Sequence, residues 1–168
     1  MTLTEEDWKN KKNSQKKLLA IILLGLEDLE KVEKDPNYVI NMYRWHEPIY
    51  KEVNHSIDKD TVIGCMVCLA GSVLSKSLNF PIDTSYEYLS ADKFIAQRMD
   101  ALDDCRNGNF DAALIRITGM DESEAWEIRR NIDTLIATKS KWESYHIDGN
   151  IFKSNLRLAA AYLESRGY

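Results

Sequence analysis

The chain has 168 residues, of which 44% are hydrophobic and 29% are charged, the composition of an ordinary soluble globular protein. Its net charge of -5 argues against a general nucleic-acid-binding protein, because such proteins need a basic surface to displace counterions from phosphate. The three cysteines are an odd number with no disulfide spacing, so we expect a reducing, cytoplasmic location and one domain over residues 1–168.

The first predicted element is a long helix that begins near Thr4 and ends before Pro36. At its centre the segment Leu18 to Leu26 carries no charge. This segment is too short to span a bilayer, which needs about 20 residues. The sequence therefore predicts a buried helix and no membrane association. The apolar surface is also broad enough to be buried between two copies of the chain, so a homo-oligomer is an alternative.

A strand is predicted next, from Tyr38 to Trp45, because this stretch is rich in β-branched and aromatic residues. A lone strand is not stable, so it needs a partner. We expect that partner around Tyr145 to Phe152, where Asp148-Gly149 is a tight-turn signal. The stretch from Glu47 to Lys59 predicts an irregular or short helical connection.

An uncharged stretch rich in small residues runs from Thr61 to Leu74, so we interpret Thr61 to Leu78 as the buried central helix of the fold. It contains Cys65 and Cys68, which would share one face of a helix. Structural zinc needs four ligands, and a cysteine pair flanked by apolar residues is not typical of a zinc site. A redox-active thiol needs a low pKa, which apolar neighbours would raise. We expect the cysteines to be small core residues that allow close packing, with no metal site and no cofactor.

Helices dominate the second half. Their predicted boundaries are Ser90 to Gly108, Asn109 to Gly119, a helix capped by Asp121, and Ser154 to Gly167. The predicted fold class is therefore mainly α: a single-domain helical bundle around a buried central helix, with a minor β element.

The cluster from Tyr43 to Pro48 places an aromatic ring beside arginine and histidine. Such a group can stack on and charge-pair with a planar anionic ligand such as a nucleotide. The candidate ligand-binding residues are Arg44, Trp45, His46, Tyr86 and His146. The alternative is structural: Trp45 fills the gap between sheet and helices, and His46 bonds a backbone carbonyl.

No phosphate loop, dinucleotide fingerprint, nucleophile elbow or His-Glu-x-x-His motif occurs in the sequence, so no catalytic residue is assigned. Charge is unevenly distributed, with a run of lysines before Leu18 and acids dominating from Asp83 to Asp111. The loop from Phe80 to Tyr88 carries two tyrosines among polar residues, a composition enriched at protein interfaces. These features favour a protein-binding function over an enzyme.

Trp45-His46, followed by Cys65-Met-Val-Cys68-Leu-Ala-Gly71, resembles a diffuse group of small uncharacterised bacteriophage and bacterial proteins. The resemblance covers Met42 to Leu74. It implies a phage-type accessory protein in the host cytoplasm, and it transfers no catalytic residue. The leading expectation is thus a non-enzymatic protein that binds and modulates a host protein. The alternative is a protein that sequesters a small anionic ligand, for example to counteract host defence signalling.

Overall fold

In the computed structural model the described residues are 17–85, 93–136, 144–146 and 148–168. They form six α-helices, a three-stranded sheet and a short 3-10 turn. The helices are α1 Leu18–Glu33, α2 Leu69–Lys76, α3 Lys93–Arg106, α4 Phe110–Thr118, α5 Glu122–Leu135 and α6 Gly149–Arg166. The strands are β1 Tyr38–Ile40, β2 His46–Val53 and β3 Ser56–Val67, and the 3-10 turn is Ser144–His146.

Helix α1 is buried where the sequence predicted it. From Leu18 to Leu26 the large apolar side chains are buried or partly buried except that of Leu23. Helices α2, α3, α4 and α6 and strand β1 all contact α1, so elements of the same chain cover its apolar face and a second copy is not needed to do so. None of the described helices is both long enough and apolar enough to cross a membrane.

The expected central helix from Thr61 to Leu78 is wrong in its first half. The segment up to Val67 belongs to strand β3, and the helix begins only at Leu69. Strands β1 and β2 both pair with Cys65–Val67, so this part of β3 is an interior strand that needs no charge on either face. The fold is mainly helical with a small sheet, and α2 is its short, buried helix.

The sheet order is β1-β3-β2, with β1 parallel and β2 antiparallel to β3. The predicted strand from Tyr38 to Trp45 therefore ends early, at Ile40, and its partner is β3. The segment expected to pair with it forms the 3-10 turn and the start of α6 instead. Asp148 caps α6 by accepting hydrogen bonds from backbone N–H groups, so Asp148-Gly149 begins a helix rather than a hairpin, and α6 starts before the predicted Ser154.

Most predicted boundaries in the second half are confirmed. Gly108, Gly119 and Gly167 follow the C-termini of α3, α4 and α6 and have positive φ angles of 77°, 68° and 82°. This left-handed conformation suits glycine because it has no Cβ. Asp121 caps α5 by accepting a hydrogen bond from the backbone N–H of Ser123. The predicted cap at Ser90 lies outside the described residues.

Close packing at a small residue is confirmed at Gly71. A Cβ atom built there would lie 1.5 Å from the carbonyl oxygen of Trp45. The element that approaches is therefore the backbone of the β1–β2 connection, not another helix. Only glycine leaves room for this contact, which holds the start of β2 against α2.

Replacing Gly71 with alanine should destabilise the fold by more than about 3 kcal/mol, because the new methyl group forces two backbone segments apart. Urea unfolding of G71A measures the loss. Gly25→Ala is the matched control: its Cβ would meet side-chain carbons of Leu102 and Leu69 at 3.0 and 3.2 Å, and these can move. Equal stability of G71A and the wild type would contradict the close approach.

Candidate functional site

The β1–β2 connection, residues 41–45, carries two of the five predicted ligand-binding residues, Arg44 and Trp45, and His46 follows it at the start of β2. The chain leaves the sheet at Asn41, whose N–H donates to the Val67 carbonyl at 2.8 Å. It then turns, because the Asn41 carbonyl accepts from the N–H of Arg44 at 3.1 Å and the Asn41 Oδ1 accepts from the N–H of Tyr43 at 3.0 Å. Tyr43 and Arg44 therefore lie on an exposed turn instead of a strand.

His146 contacts this turn. Its Nε2 accepts a hydrogen bond from the N–H of Met42 at 3.2 Å, and its ring stacks on Tyr43 with 5.7 Å between centroids and 11° between planes. Tyr43 is 75% exposed. The Arg44 Nε lies 3.3 Å from Glu47 Oε2, and both side chains are exposed. The fold thus brings His146 to the turn that presents Arg44, although the two are distant in sequence.

Trp45 and His46 point away from that exposed surface. Trp45 is partly buried against the core. His46 is buried, and its Nδ1 lies 2.6 Å from the Thr84 carbonyl oxygen. The four predicted residues that the structure describes therefore do not form one cluster: Arg44 and His146 are at the surface, and His46 is inside. Tyr86 lies outside the described residues.

A buried cysteine–histidine contact was not foreseen. The Cys65 Sγ lies 3.5 Å from Nδ1 and 3.6 Å from Nε2 of His46. Since the Thr84 carbonyl can only accept, Nδ1 carries the proton, and the Cys65 thiol donates to the Met66 carbonyl at 3.7 Å. Burial lowers the pKa of His46 and raises the pKa of Cys65 to about 12, so both groups are neutral near pH 7.

The other thiols are also held in their protonated form. Burial raises the pKa of Cys68 to about 11 and that of Cys105 well above its usual value. Cys65 lies on β3 and Cys68 is the residue before α2, so they do not share a helix face. Within the described part of the chain, no group of three or more His, Cys, Asp or Glu side chains is placed to hold a metal ion.

The sequence reasoning missed a β-hairpin. Strands β2 and β3 extend past the body of the protein as a two-stranded ribbon, here called the β2–β3 arm, residues 50–60. All of these residues are exposed except Asp58, which is partly buried. Because neighbouring residues on a strand face opposite sides, exposure at consecutive positions means that both faces of the arm are open to solvent.

The arm has a tight turn at its tip and shifts in the register between β2 and β3 at its base. Asn54 and His55 both have positive φ, 50° and 64°, as in the turns that fit the twist of a two-residue hairpin. Nearer the body, Ile63 is the extra residue between two paired positions of β3. A second register shift leaves residues 59–61 between paired positions of β3. Asp58 accepts hydrogen bonds within this stretch from the Asp60 N–H at 3.0 Å and the Thr61 hydroxyl at 2.8 Å.

Large apolar side chains are exposed on and beside the arm. Ile57 is 67% exposed and Ile63 is 58% exposed, with Tyr50 and Val53 partly uncovered as well. Strand β1 pairs with β3 only at Cys65–Val67, so the outer part of β3 has β2 as its sole strand neighbour among the described residues. The ribbon therefore combines apolar side chains with open strand edges.

No protein-family model matches the chain, and neither a curated protein nor a solved structure matches it.

All three cysteines of the folded protein should react with iodoacetamide at least about 100-fold more slowly than those of the urea-unfolded chain, because the thiolate is the nucleophile and burial suppresses it. Mass spectrometry of alkylated peptides at pH 8 measures each rate. The exposed position in Ser154→Cys supplies a fast-reacting control. A native thiol that matches the rate of this control would contradict the assignment of the cysteines to the core.

Proposed function

We propose that this protein is a non-enzymatic accessory protein that acts by binding another protein through the β2–β3 arm. The observation that carries the proposal is the exposure of both faces of this ribbon, together with Ile57 and Ile63. A two-stranded ribbon with open apolar side chains loses little conformational entropy when a partner covers it, and its edges can extend into a partner's sheet.

The burial of the reactive groups supports a binding function. The thiol of Cys65 contacts the imidazole of His46, and both groups are neutral and buried. A nucleophilic pair needs a thiolate that a substrate can reach. The surface instead carries apolar and charged side chains, which can bind a partner without a catalysed reaction.

A host protein is our proposed partner. The resemblance of the segment from Met42 to Leu74 to phage-type accessory proteins supports this, and it makes the host cytoplasm the proposed location. In the host cytoplasm the arm would bind a host protein, cover part of that protein's surface and so alter that protein's activity.

The double substitution Ile57→Thr and Ile63→Thr should abolish capture of the partner. Threonine keeps the β-branched shape that suits a strand, so the arm persists while its apolar surface shrinks. Immobilised wild-type and variant proteins are incubated with bacterial lysate, bound proteins are identified by mass spectrometry, and affinity is then measured with the purified partner. Recovery of no stoichiometric protein by micromolar wild-type bait would count against the proposal.

The control for this experiment is Leu158→Gln, which removes an exposed apolar side chain from α6, outside the sheet. Both variants should keep wild-type stability to within about 0.5 kcal/mol, as surface substitutions usually do. A partner that binds the arm variant as tightly as it binds Leu158→Gln would place the interface elsewhere.

A second candidate function rests on the stacked pair of Tyr43 and His146. We propose that a small planar anion, such as a nucleotide, stacks on the exposed Tyr43 ring while Arg44 pairs with its charge. This version of the ligand site uses Arg44 and His146 from the predicted set and leaves His46 in the core.

A thermal-shift screen against nucleotides tests this candidate, because a specific ligand at 100 times its dissociation constant stabilises the fold by about 2.7 kcal/mol. Tyr43→Ala should remove the shift, and Tyr43→Phe should retain it because stacking needs only the ring. If no nucleotide raises the melting temperature, or if Tyr43→Ala responds as the wild type does, the candidate fails.

A further inference from the structure

A groove lies where the N-termini of α4 and α5 meet, far along the chain from the β2–β3 arm. It is a shallow groove of about 510 Å³, open to solvent and lined by Asp111, Asp121, Glu122, Ser123 and Trp126, and it is here called the Trp126 groove. Its lining holds three carboxylates, of which that of Asp111 is paired with Arg129.

Trp126 gives the groove an aromatic surface. The residue is 51% exposed, although it sits in a concave site beside polar neighbours. An exposed indole next to carboxylates is suited to a cation, since the ring face attracts positive charge and the carboxylates pair with it. An aromatic ring of this size is also an efficient anchor for a partner.

Arg129 shows that this combination holds a guanidinium. Its guanidinium lies 5.5 Å from the centre of the Trp126 ring, and its Nη1 is 3.0 Å from Asp111 Oδ1. Half of the Trp126 surface stays open with Arg129 in place, and Asp121 and Glu122 add two exposed carboxylates. Hydrogen bonds from Ser123 lower the pKa of Asp121, so that its carboxylate remains charged over a wide pH range.

We propose that the Trp126 groove is a docking site for a basic peptide segment, with an arginine side chain of the partner lying against the indole and pairing with Asp121 and Glu122. Charge complementarity supports this occupant: Asp121, Glu122 and the exposed ring match a guanidinium and repel an anionic partner, while Asp111 stays paired with Arg129. The proposal is independent of the β2–β3 arm, because it uses no residue of the sheet.

The test uses a fluorescein-labelled, end-capped Gly-Arg-Arg-Gly peptide, with Gly-Gln-Gln-Gly and Gly-Glu-Glu-Gly as comparison peptides. Fluorescence polarisation at about 150 mM salt, where charges more than about 8 Å apart are largely screened, reports affinity. Binding of the arginine peptide alone is expected, with a shift of the Trp126 indole N–H resonance, which is assigned by its absence from Trp126→Ala. Equal binding of the glutamine peptide would overturn the proposal.

Trp126→Ala should weaken binding of the arginine peptide by about tenfold, the change that corresponds to about 1.4 kcal/mol. Glu122→Gln and Asp121→Asn should each weaken it several-fold, and asparagine keeps the helix cap intact. Glu164→Gln removes a matched exposed carboxylate from α6 and should change nothing, and neither should the arm variant Ile57→Thr with Ile63→Thr.

Three further results would overturn the proposal: no binding at millimolar peptide, equal affinity of Trp126→Ala and the wild type, or equal loss in Glu164→Gln and Glu122→Gln. The last would mean that the peptide senses only the net negative charge of the protein. Retained peptide binding by the arm variant, together with loss of its lysate partner, would distinguish the two surfaces.

Discussion

The contact between the Trp45 carbonyl oxygen and the backbone of Gly71 fixes how the sheet meets the helices. It joins two pieces of main chain, so rotation of a side chain cannot adjust it. The residue that follows Trp45 is His46, which starts β2 and enters the core opposite Val67. Because β2 begins at this point and is paired to β3, the same contact determines where the two strands leave the body and become the arm.

Burial decides the chemistry of the interior. Cys65 and His46 touch, and in a solvated site such a pair could exchange a proton to give a thiolate. Here desolvation penalises both charged forms: it raises the pKa of the thiol and lowers that of the imidazole. The ring is committed to the Thr84 carbonyl as well. The pair thus remains a neutral contact inside the core, and each group has a backbone carbonyl as its hydrogen-bond partner.

A different buried group joins α1 to the end of α2. Asp28 is fully buried, accepts a hydrogen bond from the Ser77 hydroxyl and lies 3.3 Å from the Lys31 Nζ. Burial raises the pKa of Asp28 despite these two partners. Ser77 directly follows α2 and Lys31 lies one turn along α1, so the buried carboxylate has one partner on each side of the contact between the two helices.

The sequence predicted helix ends better than strands, for a physical reason. Glycine with positive φ at Gly119 and a capping aspartate at Asp121 act locally, and both signals can be read from neighbouring residues. The segment from Thr61 to Val67 carries no such signal. A short uncharged run suits a buried helix and an interior strand equally well, and only pairing with β1 and β2, which is non-local, decides between them.

The candidate sites show the same limit. A ring beside arginine at Tyr43-Arg44 was visible in the sequence, whereas the stacking of His146 on Tyr43 depends on the position of the 3-10 turn. The arm was hidden because Asn54-His55 is a weaker hairpin signal than Asn-Gly, although an asparagine tolerates positive φ.

Solvent exposure, more than residue type, indicates which side chains of this protein are available to a partner. Cys65, Cys68 and His46 are the residue types with the strongest chemistry, and the fold encloses them. Ile57 and Trp126 are types that a fold normally buries, and they remain open. Scattered exposed apolar residues need no explanation, but these two occur on a ribbon open on both faces and in a groove lined by acids. Each setting adds a second kind of contact to the exposed apolar side chain: open strand edges beside Ile57 and carboxylates beside Trp126. The two binding proposals rest on these combinations.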